Sequence, residues 1–396
     1  MLHNVCGFAV TARIRGNEFA FFTQLNPINM YFLLISLNLF IATANCVRFE
    51  KSFDTLEMVS AVFRHGQKAS DPYGTYPKDP LINETYYPYG PGELTNVGKR
   101  MEFTLGKKLR QRYGNFLNNL YTPEKVYAVS TYRRRAKMSL ELVLAGLFPP
   151  ERTLLEWEQE LNWQPIPYDS LPQNNHLMEF SMFNCPKYER LYKEFSKSPT
   201  ALHVEKKYEQ YYEYIAENTG LEVNNIYDIF FLYLSLDAEK DWGLELPQWT
   251  QLVFPEYLKE AAIDFYLLSS ATPQLKQLAG GFLLKKIMND TIEKINRTLQ
   301  PPSRKLYLYS GHEYNVAFLL NALNVYYPHI PPFGSCVMIE LHRIKKVYGI
   351  KIFYMEGYNA PVKALKIPGC DLFCPIKNFM KLLTKNMPEN GNVCEE

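Results

Sequence analysis

The stretch Leu56-Glu57-Met58-Val59-Ser60-Ala61-Val62-Phe63, running into Arg64-His65-Gly66, decides how this chain is read. A strand buried on both faces in a parallel sheet reads as a nearly continuous apolar run. This run stops where a guanidinium, an imidazole and a glycine follow in succession. In open α/β sheets, ligands bind in the crevice beyond the carboxyl ends of the strands. A histidine there, with Arg64 before it and Lys68 close behind, suits attack on an anionic centre such as phosphate. A solvated arginine beside a satisfied surface histidine gives the same tripeptide, so the rest of the chain has to decide.

Outward from this run, the pattern predicts an α/β fold, a core sheet with helices on both faces. Asp71 to Pro91 is a Pro/Tyr/Gly-rich loop, too broken for regular structure. Thr95 is placed to cap a helix whose apolar residues Val97, Met101, Leu105 and Leu109 share one face. Val126 to Val129 reads as a second strand, ending in Ser130-Thr131, and a helix follows through Arg135 to Leu147 until Pro149-Pro150 stops it. Residues 151–274 are aromatic-rich without strand rhythm, with helical stretches such as Val204 to Asn218, and read as an inserted, mostly helical cap. The sheet resumes at Lys305 to Ser310, and Cys336 to His342 with Tyr348 to Met355 read as a hairpin. The expected organisation is a leader and signal peptide over 1–44, core segments over 45–150 and 275–396, and the cap between them.

Three strands thus deliver ionisable groups at their carboxyl ends: Arg64, His65 and Lys68; then Arg133, Arg134 and Arg135; then His312 and Glu313. If the strands are neighbours, these groups converge on one crevice. Such a set can hold a tetrahedral dianion while a neutral imidazole attacks phosphorus and a carboxylic acid protonates the leaving oxygen. There is no Asp/Asn cluster to seat Mg²⁺ and no His/Cys group at metal spacing, so the expectation is a site with no metal and no cofactor.

The 396 residues suffice for a large core, since single cores seldom exceed roughly 250–300 residues. Hydrophobic residues at 47% and charged residues at 21% exclude a disordered chain, and a net charge of +2 gives no reason to expect a nucleic-acid partner. The 29 Tyr and 25 Phe are spread through every segment, as packing residues are. Tyr31 to Ile41 is an apolar block followed by Ala42-Thr43-Ala44, a signal-peptide pattern too short to span a membrane. Met30 is a natural start, and the mature chain is expected near Asn45. Sequons at Asn83, Asn289 and Asn296 agree with secretion and mark expected glycosylation sites. The expectation is a secreted chain with no membrane anchor; a lysosomal destination is the alternative. Cys185, Cys336, Cys370, Cys374 and Cys394 are disulfide candidates in such a compartment.

The segments RHGQKAS, GELTNVG, STYRRRAKMS with GLFPP, and YSGHE resemble, in order, the motif series of the histidine acid phosphatases, and YPKDP resembles the insect venom acid phosphatase branch. The likeness runs from about Lys51 to Cys394. It implies a phosphoglycerate-mutase-like core with a helical cap and a covalent phosphohistidine intermediate. It makes His65 the nucleophile and Glu313 the general acid, in place of the family's aspartate. Arg64, Lys68, Arg135 and His312 become the phosphate-binding set. It also implies bridges Cys185–Cys394 and Cys370–Cys374, a free Cys336, and a homodimer, since relatives are often dimers. Three departures predict altered activity. Lys68 lacks the planar fork of the family's arginine, Ser70 replaces the motif proline, and Glu313 is one methylene longer than aspartate. Arg134 also stands where relatives carry aspartate. The implied function is a secreted, metal-independent acid phosphatase acting on small phosphate monoesters. The alternatives are a weakly active or inactive secreted binding or venom protein of this fold, and phytase-like or mutase-like phosphoryl transfer.

Overall fold

The apolar run becomes the central strand β1 (Leu56–Arg64), buried at every residue but Glu57. The structure is a computed structural model that describes residues 55–72, 74–389 and 393–394. The leader, the signal-peptide reading and the start near Asn45 lie outside the described residues. On one side β1 pairs in parallel with β4 (Leu306–Gly311), which pairs in parallel with β2 (Val126–Ser130); β2 carries β3 (Asp169–Ser170) at the edge. On the other side β1 runs antiparallel to β5 (Cys336–Ile344), joined as a hairpin to β6 (Val347–Met355). Strands β7 (Val362–Leu365) and β8 (Cys374–Pro375) both pair with β6. The sheet is mixed, parallel where the ionisable groups emerge and antiparallel beyond.

Alternation along β1 sends side chains to both faces. Met58 and Val62 pack into a core with Leu284, Ile287, Val316 and Leu319, while Val59, Ala61 and Phe63, which alternate with them, are buried on the opposite side. Helix α1 (Asn96–Leu117) begins where expected, its Thr95 hydroxyl accepting from Gly98 N–H at 3.0 Å. The face read from hydrophobicity is buried at Leu105 and Leu109 but not at its N-terminal end. Val97 is exposed and Met101 half-buried, and the helix turns Gly98, Glu102, Leu105, Gly106, Leu109 and Tyr113 inward. The reason is close packing on α2 (Arg134–Leu147): a Cβ on Gly106 would lie 2.3 Å from the Val143 carbonyl oxygen, so contact selects the smallest residue rather than the most apolar.

Residues 181–268 form helices, among them α3 (Ile226–Trp242) and α4 (Glu256–Leu268), around an aromatic core of Phe180, Tyr188, Phe230, Phe265 and Tyr266. The helix expected over Val204 to Asn218 is broken. Pro199–Glu205 ends, a 3₁₀ turn covers Glu209–Tyr211, and Tyr212–Thr219 resumes. The break lets Glu205 accept from Tyr212 Oη at 2.6 Å and from the Ile226 N–H at the start of α3 at 3.0 Å. The segment 151–274 also gives the sheet its edge strand β3. Helix α5 (Phe282–Asn296) and helix α6 (Glu313–Ala322) return the chain to the sheet. Cys185 is bonded to Cys394 and Cys370 to Cys374, while Cys336 is a free buried thiol. Asn83, Asn289 and Asn296 are exposed; Thr291, the third residue of the middle sequon, is buried and donates to the Ile287 carbonyl.

Candidate active site

The strands β1, β4 and β2 end level with one another. Arg64 is in register with Gly311 and Ser130 with Ser310, and past the ends His65 N–H donates to Gly311 O (2.9 Å) and Thr131 N–H to Ser310 O (3.1 Å). Motifs distant in the chain meet here as one piece of structure. The turn after β1 runs so close to the N-terminus of α1 that a Cβ on Gly66 would lie 2.4 Å from Gly98 O, and a Cβ on Gly98 2.1 Å from Gln67 O. Gly66 N–H donates to Ser139 Oγ of α2 at 3.3 Å, and Thr95 Oγ1 donates to Gln67 Oε1 at 2.8 Å. The loop that carries His65 is thereby held by backbone contact on one side and hydroxyls on the other.

That loop fixes the state of His65. Its Nδ1 lies 2.8 Å from the Gly66 carbonyl, which can only accept, so Nδ1 carries the proton. The Nε2 lone pair is left without a proton, and Arg135, whose side chain lines the adjoining pocket, donates to it from Nε at 3.0 Å. Burial first, then the charges of Arg135 and Arg64, hold the imidazole well below the usual histidine range, so it stays neutral in acid. His312 lies with its ring centroid 5.3 Å away, pairs through Nε2 with Thr131 Oγ1 at 3.0 Å, and is driven down by burial and by Arg135 and Arg133.

Around the two imidazoles the structure brings together Arg64, Lys68, Arg135 and Glu313, all buried or nearly so. Arg64 donates from Nη1 to the Pro331 carbonyl at 2.7 Å, lies 4.0 Å from the Phe333 ring centroid, and pairs through Nε with Glu313 Oε2 at 3.4 Å. Arg133 also lines the pocket; Arg134, grouped with it in the sequence reading, turns away, its side chain 84% exposed beside Glu93. Lys68 Nζ is 3.2 Å from Asp71 Oδ2, and burial lowers its ammonium from the usual lysine range while Asp71 opposes the shift.

Sequence reasoning did not find Asp71, Glu179, Asp237 or the apolar wall. Asp71, three residues after Lys68, was findable as a charge pair. Glu179, which accepts from Tyr314 Oη at 3.2 Å, and Asp237 are both raised above the usual carboxylate range, chiefly by burial. Phe180, Phe183, Phe230, Phe231 and Leu234 complete the wall opposite the strand ends. The pocket thus holds four cationic residues, Arg64, Lys68, Arg133 and Arg135, against four acidic ones, Asp71, Glu179, Asp237 and Glu313. Among the described residues no group of three or more His, Cys, Asp or Glu is arranged to hold a metal ion.

A neutral imidazole with its lone pair among cations, at the mouth of a mixed α/β sheet, is the site of a phosphoryl-transfer fold. The chain belongs to the histidine phosphatase superfamily (branch 2), whose family model matches residues 55–355. It is 38% identical to Venom acid phosphatase Acph-1 of Apis mellifera, over 86% of this chain and 88% of that one. It is 31% identical to the Lysosomal acid phosphatase of Homo sapiens, over 90% of this chain and 83% of the relative, and 34% identical to the human Prostatic acid phosphatase, over 85% and 86%. Among solved structures, the apo phytase of Hafnia alvei shares the fold with a TM-score of 0.60 at 17% identity, covering 86% of this chain and 98% of that one.

Proposed function

We propose that this chain is an acid phosphatase that hydrolyses small phosphate monoesters through a phosphohistidine on His65. One observation carries the reading: a buried imidazole, its Nδ1 committed to the Gly66 carbonyl, holds an Nε2 lone pair against Arg135, beside a pocket lined by Arg64, Lys68 and Arg135. The phosphoryl oxygens lie among those cations, with His312 completing the set. Nε2 bonds to phosphorus as the ester P–O bond breaks, and Glu313, at the N-terminus of α6, gives its proton to the leaving oxygen. Water then attacks the phosphoryl group, Glu313 takes back a proton, the N–P bond breaks and inorganic phosphate departs. Burial and the neighbouring arginines favour the neutral, nucleophilic form of His65.

Turnover of p-nitrophenyl phosphate by the purified protein at pH 5 tests the activity. Acid-quenched enzyme should carry an acid-labile phosphate on histidine, and His65→Ala should abolish both label and turnover. A label on serine, or undiminished turnover in the variant, would overturn the mechanism. The likeness to venom and lysosomal enzymes, two disulfides and the exposed Asn83, Asn289 and Asn296 support secretion, with the lysosome as the alternative. No helix of the described residues is long and apolar enough to cross a membrane. N-terminal sequencing and glycosidase treatment of the native protein check the mature start near Asn45 and the three sequons. Homodimer formation finds support in the exposed Leu154, Trp157, Leu161 and Trp163, which precede the edge strand β3; light scattering reads it directly.

A further inference from the structure

Asp71 sits inside the phosphate clamp, and the chemistry above does not use it. One oxygen, Oδ2, lies 3.2 Å from Lys68 Nζ and 3.4 Å from Arg135 Nη2, so a single carboxylate faces two of the cations that hold phosphate. The backbone around it is pinned. Ala69 N–H donates to Glu93 O at 2.9 Å, Gly92 N–H to Ser70 O at 2.7 Å and Gly74 N–H to Asp71 O at 3.2 Å, and Lys68 bridges to Leu94. Gly92, at φ +73°, comes so near that a Cβ there would lie 2.9 Å from Asp71 Cβ. With little room to withdraw, the carboxylate stays in the clamp when an anion arrives. Of the four cationic side chains that line the pocket, Arg64, Lys68, Arg133 and Arg135, two therefore already face this carboxylate before any ligand binds.

We propose that Asp71 is a specificity-determining residue: a fixed internal anion that shares Lys68 and Arg135 with the ligand, matches the site to a singly charged phosphate ester and weakens its hold on dianions. The inference rests on the phosphatase reading. At neighbouring distances inside a protein, one like charge is worth a large factor in affinity.

The test uses tetrahedral anions of fixed charge, so that titration of the ligand plays no part: sulfate as the dianion and methanesulfonate as the monoanion. Direct binding by calorimetry, which needs no turnover, is compared in wild type, Asp71→Asn and Asp71→Glu, with thermal unfolding confirming that each is folded. Asp71→Asn should tighten sulfate about 10-fold to 100-fold and methanesulfonate by a clearly smaller factor. Asp71→Glu should stay within about threefold of wild type, because it restores the charge. Weaker sulfate binding in Asp71→Asn would overturn the proposal and make Asp71 the group that keeps Lys68 charged and both cations aimed. Equal gains for the two anions would overturn it as well, since no discrimination by charge would remain. If Asp71→Asn fails to fold, Asp71→Ser replaces it under the same criterion; if Asp71→Glu fails to fold, the uncharged variant's discrimination between the two anions decides alone. The phosphatase reading is judged separately, by the label on His65: sulfate bound by wild type without that label sinks the reading alone, and sulfate bound by neither wild type nor variant sinks the clamp and this proposal with it.

Discussion

The floor of the pocket and its wall are built by different means. The floor is made of strand ends: Arg64, His65, Arg135, His312 and Glu313 sit within a residue or a helical turn of β1, β2 and β4, and main-chain hydrogen bonds across those ends fix their spacing. The wall comes from the helical segment, where Phe180, Phe230 and Phe231 continue an aromatic core whose contacts are non-directional, such as the 4.5 Å approach of Phe230 and Phe265. A floor held by backbone keeps atoms in place to a fraction of an ångström, as bond-making needs. A wall held by packing tolerates exchange of one apolar group for another at modest cost. On the proposed mechanism the chemistry belongs to the floor, and the choice of leaving group falls to the wall.

The sharpest way to break this division is at Glu313. Glu313→Gln keeps the shape of the floor and removes a proton. It should slow alkyl phosphate hydrolysis by roughly 10²–10⁴-fold and p-nitrophenyl phosphate hydrolysis far less, because nitrophenolate leaves unaided. Equal losses on both substrates in steady-state assays would mean that Glu313 serves geometry and the proton comes from elsewhere.

The joint between floor and wall offers a second test. Glu239 of α3 is buried and accepts from Ser235 Oγ at 3.2 Å, and Ser70 of the His65 loop bonds Ser235 Oγ at 2.7 Å. Burial, and then the nearby Asp79, push its carboxyl up to about 7. The folded chain keeps this proton where the unfolded chain has lost it, so stability is full below about pH 4.5 and drains away as pH rises toward 7. The difference amounts to about 3 kcal/mol, seen as a Tm several degrees higher at pH 5 than at pH 7.5. Glu239→Gln should flatten that slope; an unchanged slope would place the sensitivity in another group.

Two smaller effects sharpen the contrast. Lys68→Arg restores a planar, bidentate donor to the floor and should raise kcat/KM about fivefold to tenfold; a fall would show that the Asp71 loop is shaped around lysine. Phe183→Ala trims a ring that is 49% exposed at the wall. It should change KM severalfold between bulky and small esters while kcat for p-nitrophenyl phosphate stays put. A kcat effect equal to the KM effect would mean that wall and floor are not separable.

The floor was legible in the sequence because its signals are local. An apolar run that stops at Arg64-His65-Gly66, and the matching ends at Ser130-Thr131 and Gly311-His312-Glu313, announce themselves within a few residues each. The face of α1 was legible only in part: Leu105 and Leu109 are buried as read, but counting apolar residues also favours Val97 and Met101, whereas close approach to α2 favours Gly106, whose merit is having no side chain. Phe180 and Phe231 gave no sign of their place at the pocket, since helical aromatics look alike until tertiary contacts sort them. Glu179 and Asp237 were hidden for the same reason. Asp71 was one turn of chain from Lys68 and was passed over in a loop read only as irregular.

The contact of Gly66 with Gly98 turns main-chain thickness into a gauge for the reaction. Where Gly66 meets Gly98 the neighbours are backbone atoms, so an added Cβ has no flexible side chain to push aside. A single methyl group at position 98, remote in sequence from the nucleophile, would be passed on as displacement of the imidazole itself. The N-terminus of α1 acts as the anvil against which the His65 turn is set.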